Sequence, residues 1–190
     1  MSLRISNYDE PVLRETGKRI EQFDEDLAEL CDQMVETMYQ NEGIGLAAQQ
    51  IGKALMLCVV DVPQSRDNSF EFTLDGKSPP AELIMPMALA NPTVEILPSA
   101  STTYEEGCLS FPGINGSVVR PDKVRVSFQD ENGDPHVMEC NGLLGRCVQH
   151  EVDHLNGILF IDRMDEDSLK AAERRIKKLR KETQKQLKKL

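Results

Sequence analysis

His150-Glu151-Val152-Asp153-His154 is the stretch of this chain best equipped for chemistry, and it uses two of the three histidines present. On a helix, positions i and i+4 share one face, so both imidazoles can address a single metal ion. Glu151 lies about 100° round the helix from His150, close enough to reach a water beside that metal. Two neutral nitrogen donors with an adjacent carboxylate form the core of a metal-dependent hydrolase, in which the metal lowers the pKa of water and the carboxylate takes its proton. The plainer reading is two core histidines that share a face by chance. Against it, buried imidazoles on an apolar helix need polar partners, and a metal is an economical one.

Two histidines rarely complete a catalytic metal site, so a third protein ligand is expected. The metzincin pattern places it at the end of H-E-x-x-H-x-x-G-x-x-H. This chain keeps Gly157 in register but has Phe160 where the last histidine belongs, and phenylalanine cannot ligate. The thermolysin-like pattern takes a glutamate about twenty residues past the second histidine. Glu173 stands there, among Arg174, Arg175 and Lys177, where a solvated helix surface is expected. The third option is Cys108, within Glu105-Glu106-Gly107-Cys108-Leu109-Ser110. As a thiolate it would be a soft, strong ligand. Position alone reads it first as a buried small hydrophobe, the commonest fate of a free cysteine. Gly107 would let the backbone come close to a metal or substrate.

A second glycine-rich stretch, Gly43-Ile44-Gly45-Leu46-Ala47-Ala48-Gln49-Gln50, permits positive φ and the close approach of an extended peptide, with Ile44 free to line an apolar pocket. A simple turn from helix to strand is the alternative. It is not a phosphate loop, because no Gly-Lys-Ser/Thr follows.

These residues need elements to hold them. Residues 142–155 carry Leu143, Leu144, Cys147, Val148, Val152 and Leu155 at spacings of three, four, seven and eight, which predicts a buried helix under the H-E-x-x-H motif. Asn141 is the expected N-cap and Asn156-Gly157 the expected stop. Residues 24–40 predict another helix, with an apolar stripe of Leu27, Leu30, Cys31, Met34, Val35 and Met38 and Asp24 as N-cap. Strand-like runs follow at 55–60, 92–97, 123–128 and 136–140, the last two joined through Asn132-Gly133, a strong hairpin signal. Residues 63–90, rich in Pro, Ser and acidic groups, read as a long surface excursion in which 70–74 can pair locally. The fold class is therefore α+β: short antiparallel sheets around a buried helix, with an N-terminal helix and a C-terminal helical tail.

The chain has 190 residues, one domain's worth. It has no apolar run near the roughly 20 residues of a membrane span. Its N-terminus lacks an apolar signal region, so export is not expected. Five widely spaced cysteines suggest reduced thiols and a cytoplasmic setting rather than a disulfide framework. The net charge of −10 is uneven. Residues 168–190 hold ten Lys/Arg and two Glu, a net +8, which leaves 12 basic and 30 acidic groups, a net −18, on the other 167 residues. An acidic body at 1–167 with a basic helical extension at 168–190 suggests that the tail meets something polyanionic. A solvated terminal helix kept soluble by its lysines is the alternative. Leu169, Ile176, Leu179, Leu187 and Leu190 give that helix an apolar side.

Three blocks in order, Gly43–Gln50, Glu106-Gly107-Cys108-Leu109-Ser110 and Gln149-His150-Glu151-Val152-Asp153-His154, match G-x-G-x-A-A-x-Q, E-G-C-L-S and Q-H-E-x-D-H at every fixed position. On these blocks the chain resembles the peptide deformylases, over about residues 3–165. The resemblance implies removal of the formyl group from the N-terminal formyl-methionine of newly made polypeptides, with formate and a free amine as products. It implies that Cys108, His150 and His154 bind Fe²⁺, with Zn²⁺, Ni²⁺ or Co²⁺ as substitutes. Glu151 would be the general base and later acid, and the Gln50 amide and Leu109 N–H the oxyanion donors. Gly43, Ile44, Gly45, Glu106, Gly107, Leu143 and Cys147 would bind substrate, with Arg146 bordering the methionine pocket. Many relatives carry a basic residue about five positions after E-G-C-L-S, and Phe111–Ser117 has none. The expected partners are nascent formyl-methionyl chains and, through the basic tail, the ribosome, with no membrane and no sequence-specific nucleic acid. Two rival readings remain: a zinc peptidase with Glu173 as third ligand, and an inactive relative that only binds N-termini.

Overall fold

Polar caps and apolar stripes set the helices where their periodicity predicts. A computed structural model describes residues 3–63 and 69–189, so residues 64–68 of the expected excursion, and Leu190 of the tail, lie outside it. Helix α1 spans Glu25–Gln40, and its N-cap Asp24 accepts a hydrogen bond from the Leu27 N–H. Helix α2 spans Gly142–Leu155 and helix α3 spans Glu166–Leu187. The strands are β1 (Gly45–Ala47), β2 (Leu57–Val60), β3 (Phe72–Leu74), β4 (Met87–Ile96), β5 (Ser101–Gly107), β6 (Asn115–Pro121), β7 (Val124–Gln129) and β8 (Pro135–Cys140). These strands pair antiparallel throughout. One six-stranded sheet runs in the order β1-β2-β4-β7-β8-β3, and β5 pairs with β6 in a separate ribbon. The α+β architecture is as expected.

The large sheet is covered on both faces, and β2 shows how. Its side chains alternate: Cys58 and Val60 join the core under α2, while Leu57 and Val59 join the core under α1. Strand β1 divides the same way, with Ala47 toward α2 and Leu46 toward α1. Met34 and Met38 of α1 are fully buried against this second face, and truncating either to Ala would cost about 2–5 kcal/mol. A third core gathers Phe111, Ile114, Val118, Leu159 and Phe160 beneath α3, which contributes Ala172, Ile176 and Leu179. Of the tail's expected apolar side, Ile176 and Leu179 are thus docked on the body, whereas Leu169 and Leu187 are exposed.

Some local expectations shift. Asn141 holds the N-cap position of α2 but makes no capping bond; its Oδ1 accepts from the Glu71 N–H instead, at 2.6 Å, and ties down the start of β3. The turn between β7 and β8 uses Gly133 in the left-handed region (φ 88°), as its Asn-Gly signal requires. Strands β1, β5 and β6 had no counterpart in the periodicity.

Candidate active site

Helix α2 passes through the core with both faces packed, and 11 of its 14 residues are buried, including Arg146, Gln149, His150, Glu151, Asp153 and His154. Burying six polar or charged side chains on one helix requires partners for each. One turn apart, His150 and His154 stand with ring centroids 5.1 Å from each other. Gly107 ends β5, so Cys108 enters the same space from the ribbon, with Sγ 3.3 Å from His154 Nε2. The ligand atoms of Cys108, His150 and His154 all lie within 4.8 Å of one another. A soft thiolate and two imidazoles converging at this spacing are a donor set that would hold a divalent metal ion.

The far side of each histidine differs. His150 Nδ1 meets Glu106 Oε2 at 3.0 Å. Glu106 also receives two bonds from Arg120, at 2.7 and 3.0 Å, and one from Arg146, at 2.6 Å. Arg120 reaches on to Asp153 at 2.8 Å, and Asp153 is closed from outside by Arg163. Burial alone would raise the Glu106 carboxyl, but His150 and Arg120 hold it well below the usual carboxylate range. Burial would likewise lower His150, but Cys108 and Glu106 outweigh it and raise the ring to about 10. His154 moves the other way, pushed down first by burial and then by the charge of His150. Phe160 packs on the His150 ring at 6.0 Å and edge-on against Phe111 at 5.1 Å, so this position closes the site as an apolar wall.

The cleft in front of these groups has a volume of about 530 Å³. Its walls include Gly43, Ile44, Gly45, Gln50, Glu106, Gly107, Cys108, Leu109, Leu143, Cys147, His150 and Glu151, so every expected site residue except His154 lines it. His154 is only 1% exposed and sits behind the lining as the inner member of the metal group. Glu151 is 5% exposed, its Oε2 has no hydrogen-bond partner among the described residues, and burial pushes its carboxyl up to about 7. Gln50 Oε1 is occupied by the Ala47 N–H at 2.8 Å, which leaves Nε2 directed at Cys108 Sγ and Ser110 Oγ, each at 3.4 Å. The amide therefore presents a donor, not an acceptor, beside the metal group.

The two glycines of β1's approach work differently from the expectation. Neither Gly43 nor Gly45 adopts positive φ. Space matters at Gly45, where a Cβ would sit 2.8 Å from Cδ of the buried Glu151 and 2.9 Å from Cys147 Sγ; one on Gly43 would meet only the tip of the Leu109 side chain, Cδ1 at 2.9 Å, which can turn away. Glu173, the alternative third ligand, is excluded. It lies on the solvent side of α3, 62% exposed and paired with Lys177 at 2.6 Å. Arg146 does border the cleft, yet its guanidinium is spent on Glu106, Val118 O and Thr102, beneath the Tyr104 ring at 4.9 Å. Arg120 and Asp153 were not anticipated in this role, nor was Glu106 as the partner of His150. Only the pairing of β5 with β6, which joins Glu106 to the segment carrying Arg120, reveals them.

The family model for polypeptide deformylase matches residues 2–170. A peptide deformylase of Opitutus terrae is 53% identical over 186 residues, covering 96% of this chain and 95% of that protein. One from Prochlorococcus marinus is 44% identical, covering 89% of this chain and 77% of that protein. Among solved structures, a peptide deformylase from Synechococcus elongatus in complex with actinonin superposes with a TM-score of 0.77 at 38% identity, covering 91% of this chain and 85% of its own. A plant peptide deformylase gives 0.83 at 35%, covering 97% and 92%.

Proposed function

The chain belongs to the polypeptide deformylase family, and we propose that Cys108, His150 and His154 hold its metal while Glu151, Gln50 and the Leu109 N–H serve the reaction. The activity is metal-dependent amide hydrolysis: it takes the formyl group off the N-terminus of nascent peptides and leaves formate and a free amine. The observation that carries the assignment of roles is the convergence of the three ligand atoms at the wall of a cleft into which Glu151 brings a buried, unpaired carboxylate oxygen.

A divalent metal held by Cys108, His150 and His154 would supply Lewis acidity toward the formyl group and toward water. Glu151 takes the water's proton at its free Oε2 and returns it to the leaving amine nitrogen. Burial raises this carboxyl above the ordinary glutamate value, the direction that suits both transfers. Gln50 Nε2 and the Leu109 N–H stabilise the oxygen that becomes negative as water adds to the formyl carbon. Gly43 and Gly45 bring the backbone close to the extended peptide. Ile44, Leu143 and Cys147 supply the apolar wall for the methionine side chain, and Glu106 and Gly107 complete the lining.

Ferrous iron is our choice of metal, with Zn²⁺, Ni²⁺ and Co²⁺ as substitutes, because a single thiolate with two imidazoles suits all of them. We place the protein in the cytoplasm, where its free cysteines stay reduced. The test is formate release from formyl-Met-Ala-Ser by anaerobic protein loaded with Fe²⁺ or Zn²⁺. The iron form should turn over, and absence of formate with either metal would favour an inactive N-terminus binder. We take residues 1–167 as the catalytic domain and 168–190 as the basic extension, and propose that the latter docks on ribosomal phosphates. Because Ala172 is buried and Ile176 and Leu179 pack on the Phe111 core, charge reversal of Lys177, Lys181 and Lys185 is a cleaner test than truncation. It should abolish salt-sensitive ribosome co-sedimentation, and equal pelleting of variant and native protein would refute the docking.

A further inference from the structure

Residues 108–114 link β5 to β6. They carry Cys108 and Leu109, and Phe111, Pro112 and Gly113 line the cleft. Such a linker has no strand ladder to hold it, so its position rests on other contacts. Inside it the Phe111 N–H donates to Cys108 O at 2.9 Å and the Ile114 N–H to Phe111 O at 3.0 Å, with Gly113 turning the chain at φ 71°. These bonds shape the turn but do not tie it to the body.

Helix α3 supplies polar contacts along the length of this linker. At the helix start, the Asp165 N–H donates to Ser117 O and Ser168 Oγ accepts from the Ser117 N–H, both at 3.1 Å. Two turns on, Arg175 Nη1 donates to Gly113 O at 3.2 Å. Further along, Arg180 and Gln184 hold the Asp9 carboxylate at 3.0 and 2.9 Å. Tyr8, the residue before it, donates its N–H to Ser110 O at 2.9 Å and stacks on Phe111 with ring centroids 4.8 Å apart. Helix and linker thus run side by side from Ser117 back to Ser110. The apolar contacts of Ala172, Ile176 and Leu179 attach the helix, and the polar ones fix where the linker lies along it.

We propose that Arg175 is a positioning residue for the cleft: through Gly113 it holds the wall formed by residues 111–113, so the basic extension braces the active site as well as carrying charge. A bound peptide meets this wall, whereas the metal group sits on α2 and at the linker's first residue. The effect should therefore fall on substrate affinity rather than on the chemical step. The proposal rests on the reading of this cleft as the peptide site.

Amide hydrogen exchange tests the brace without metal or substrate. In Arg175→Ala the Phe111 and Ile114 amides should exchange about fivefold faster, as loss of one hydrogen bond allows, while the Val148 amide of α2 keeps its native rate. Arg175→Lys keeps a donor and should restore protection. Lys181→Ala removes the same charge from an exposed position of α3 and should leave these amides native. In the iron-loaded enzyme, Arg175→Ala should raise KM for formyl-Met-Ala-Ser about three- to fivefold with kcat within about twofold of native, and Arg175→Lys should reverse the change. Native exchange at Phe111 and Ile114 in Arg175→Ala, or an equal acceleration at Val148, overturns the brace. Faster local exchange with native KM overturns the role of this wall in peptide binding. A native protein that releases no formate refutes the reading of the cleft instead, and the exchange rates still decide whether Arg175 holds the wall.

Discussion

Glu106 and Glu173 are both glutamates with a cation at close range, 2.7 Å to Arg120 in one case and 2.6 Å to Lys177 in the other. Their surroundings make them different devices. Glu106 has a 6% exposed side chain and joins Arg120, Arg146 and His150, while Arg120 continues to Asp153 and Arg163. Glu173 pairs with Lys177, four residues along the same helix, in open solvent. A buried charge is costly unless its partners are complete, so the network around Glu106 accepts essentially one arrangement, and that arrangement aims His150. An exposed pair exchanges freely with water and fixes nothing. The same chemistry thus sets geometry inside the molecule and only the electrostatic field outside it, where α3 presents its lysines.

The largest effect should come from Glu151, a buried acid with no salt-bridge partner among the described residues. Glu151→Gln removes the proton carrier but keeps the side chain's shape beside Gly45. Turnover should fall about 10²–10⁴-fold with metal content unchanged, measured by formate release and metal analysis. Retained turnover would sink the assignment. Next, Arg120→Leu leaves Glu106 and Asp153 short of a cation in the core. It should cost about 3–5 kcal/mol in denaturant unfolding, and a loss under 1 kcal/mol would mean that the buried network is not what holds the site. Glu106→Gln keeps an acceptor but halves the network's negative charge. It should weaken metal binding about 10–100-fold by chelator competition, with a smaller effect on folding.

This contrast also marks what was legible in the sequence. Helix α2 was readable to both ends, because apolar spacing and a glycine stop are local signals. The three motif blocks announced which side chains meet in the cleft. The ribbon was not readable: β5 is Ser-Thr-Thr-Tyr-Glu-Glu-Gly, exposed along most of its length, with no alternation to report a buried face. Arg120 resembles any solvent arginine at a strand end, and its burial follows only when β6 folds over Glu106. The positive φ expected at Gly43 and Gly45 is absent, and what lies closest to them is the Glu151 and Leu109 side chains, which the local sequence could not show.

A smaller effect is expected at the half-exposed clasp between His136 and Asp75, 2.7 Å apart, with Asp130 3.6 Å from the other ring nitrogen. Asp75 and then Asp130 raise the His136 pKa above its ordinary value of 6.5, while His136 and the Val137 N–H lower that of Asp75 below 3.8. For the histidine, stability is fully present below about pH 6.5 and is lost as pH rises through the raised folded value. For the aspartate it is present above about pH 3.8 and is lost as pH falls through the lowered value. The pair therefore contributes most at about pH 4–6.5. Asp75→Asn keeps an acceptor for the Val137 N–H and removes only the charge. Its deficit in unfolding free energy should be about 0.5–1 kcal/mol near pH 5.5 and shrink toward pH 8.5. A deficit that does not change with pH would show that the charge is not responsible.

The smallest effect is expected at the pair that opened the comparison. Glu173 precedes Lys177 by one turn, the favourable orientation for the helix dipole, so the interaction is real but screened. A double-mutant cycle with Glu173→Ala and Lys177→Ala should return a coupling of about 0.3–0.5 kcal/mol, falling toward zero in 1 M salt. Metal content and turnover should be native in all three variants, since neither residue reaches the cleft. A coupling above about 1.5 kcal/mol that persists at high salt would erase the distinction between the two glutamates. It would mean that α3 is held by specific charge geometry as the core is, rather than by the apolar contacts of Ala172, Ile176 and Leu179.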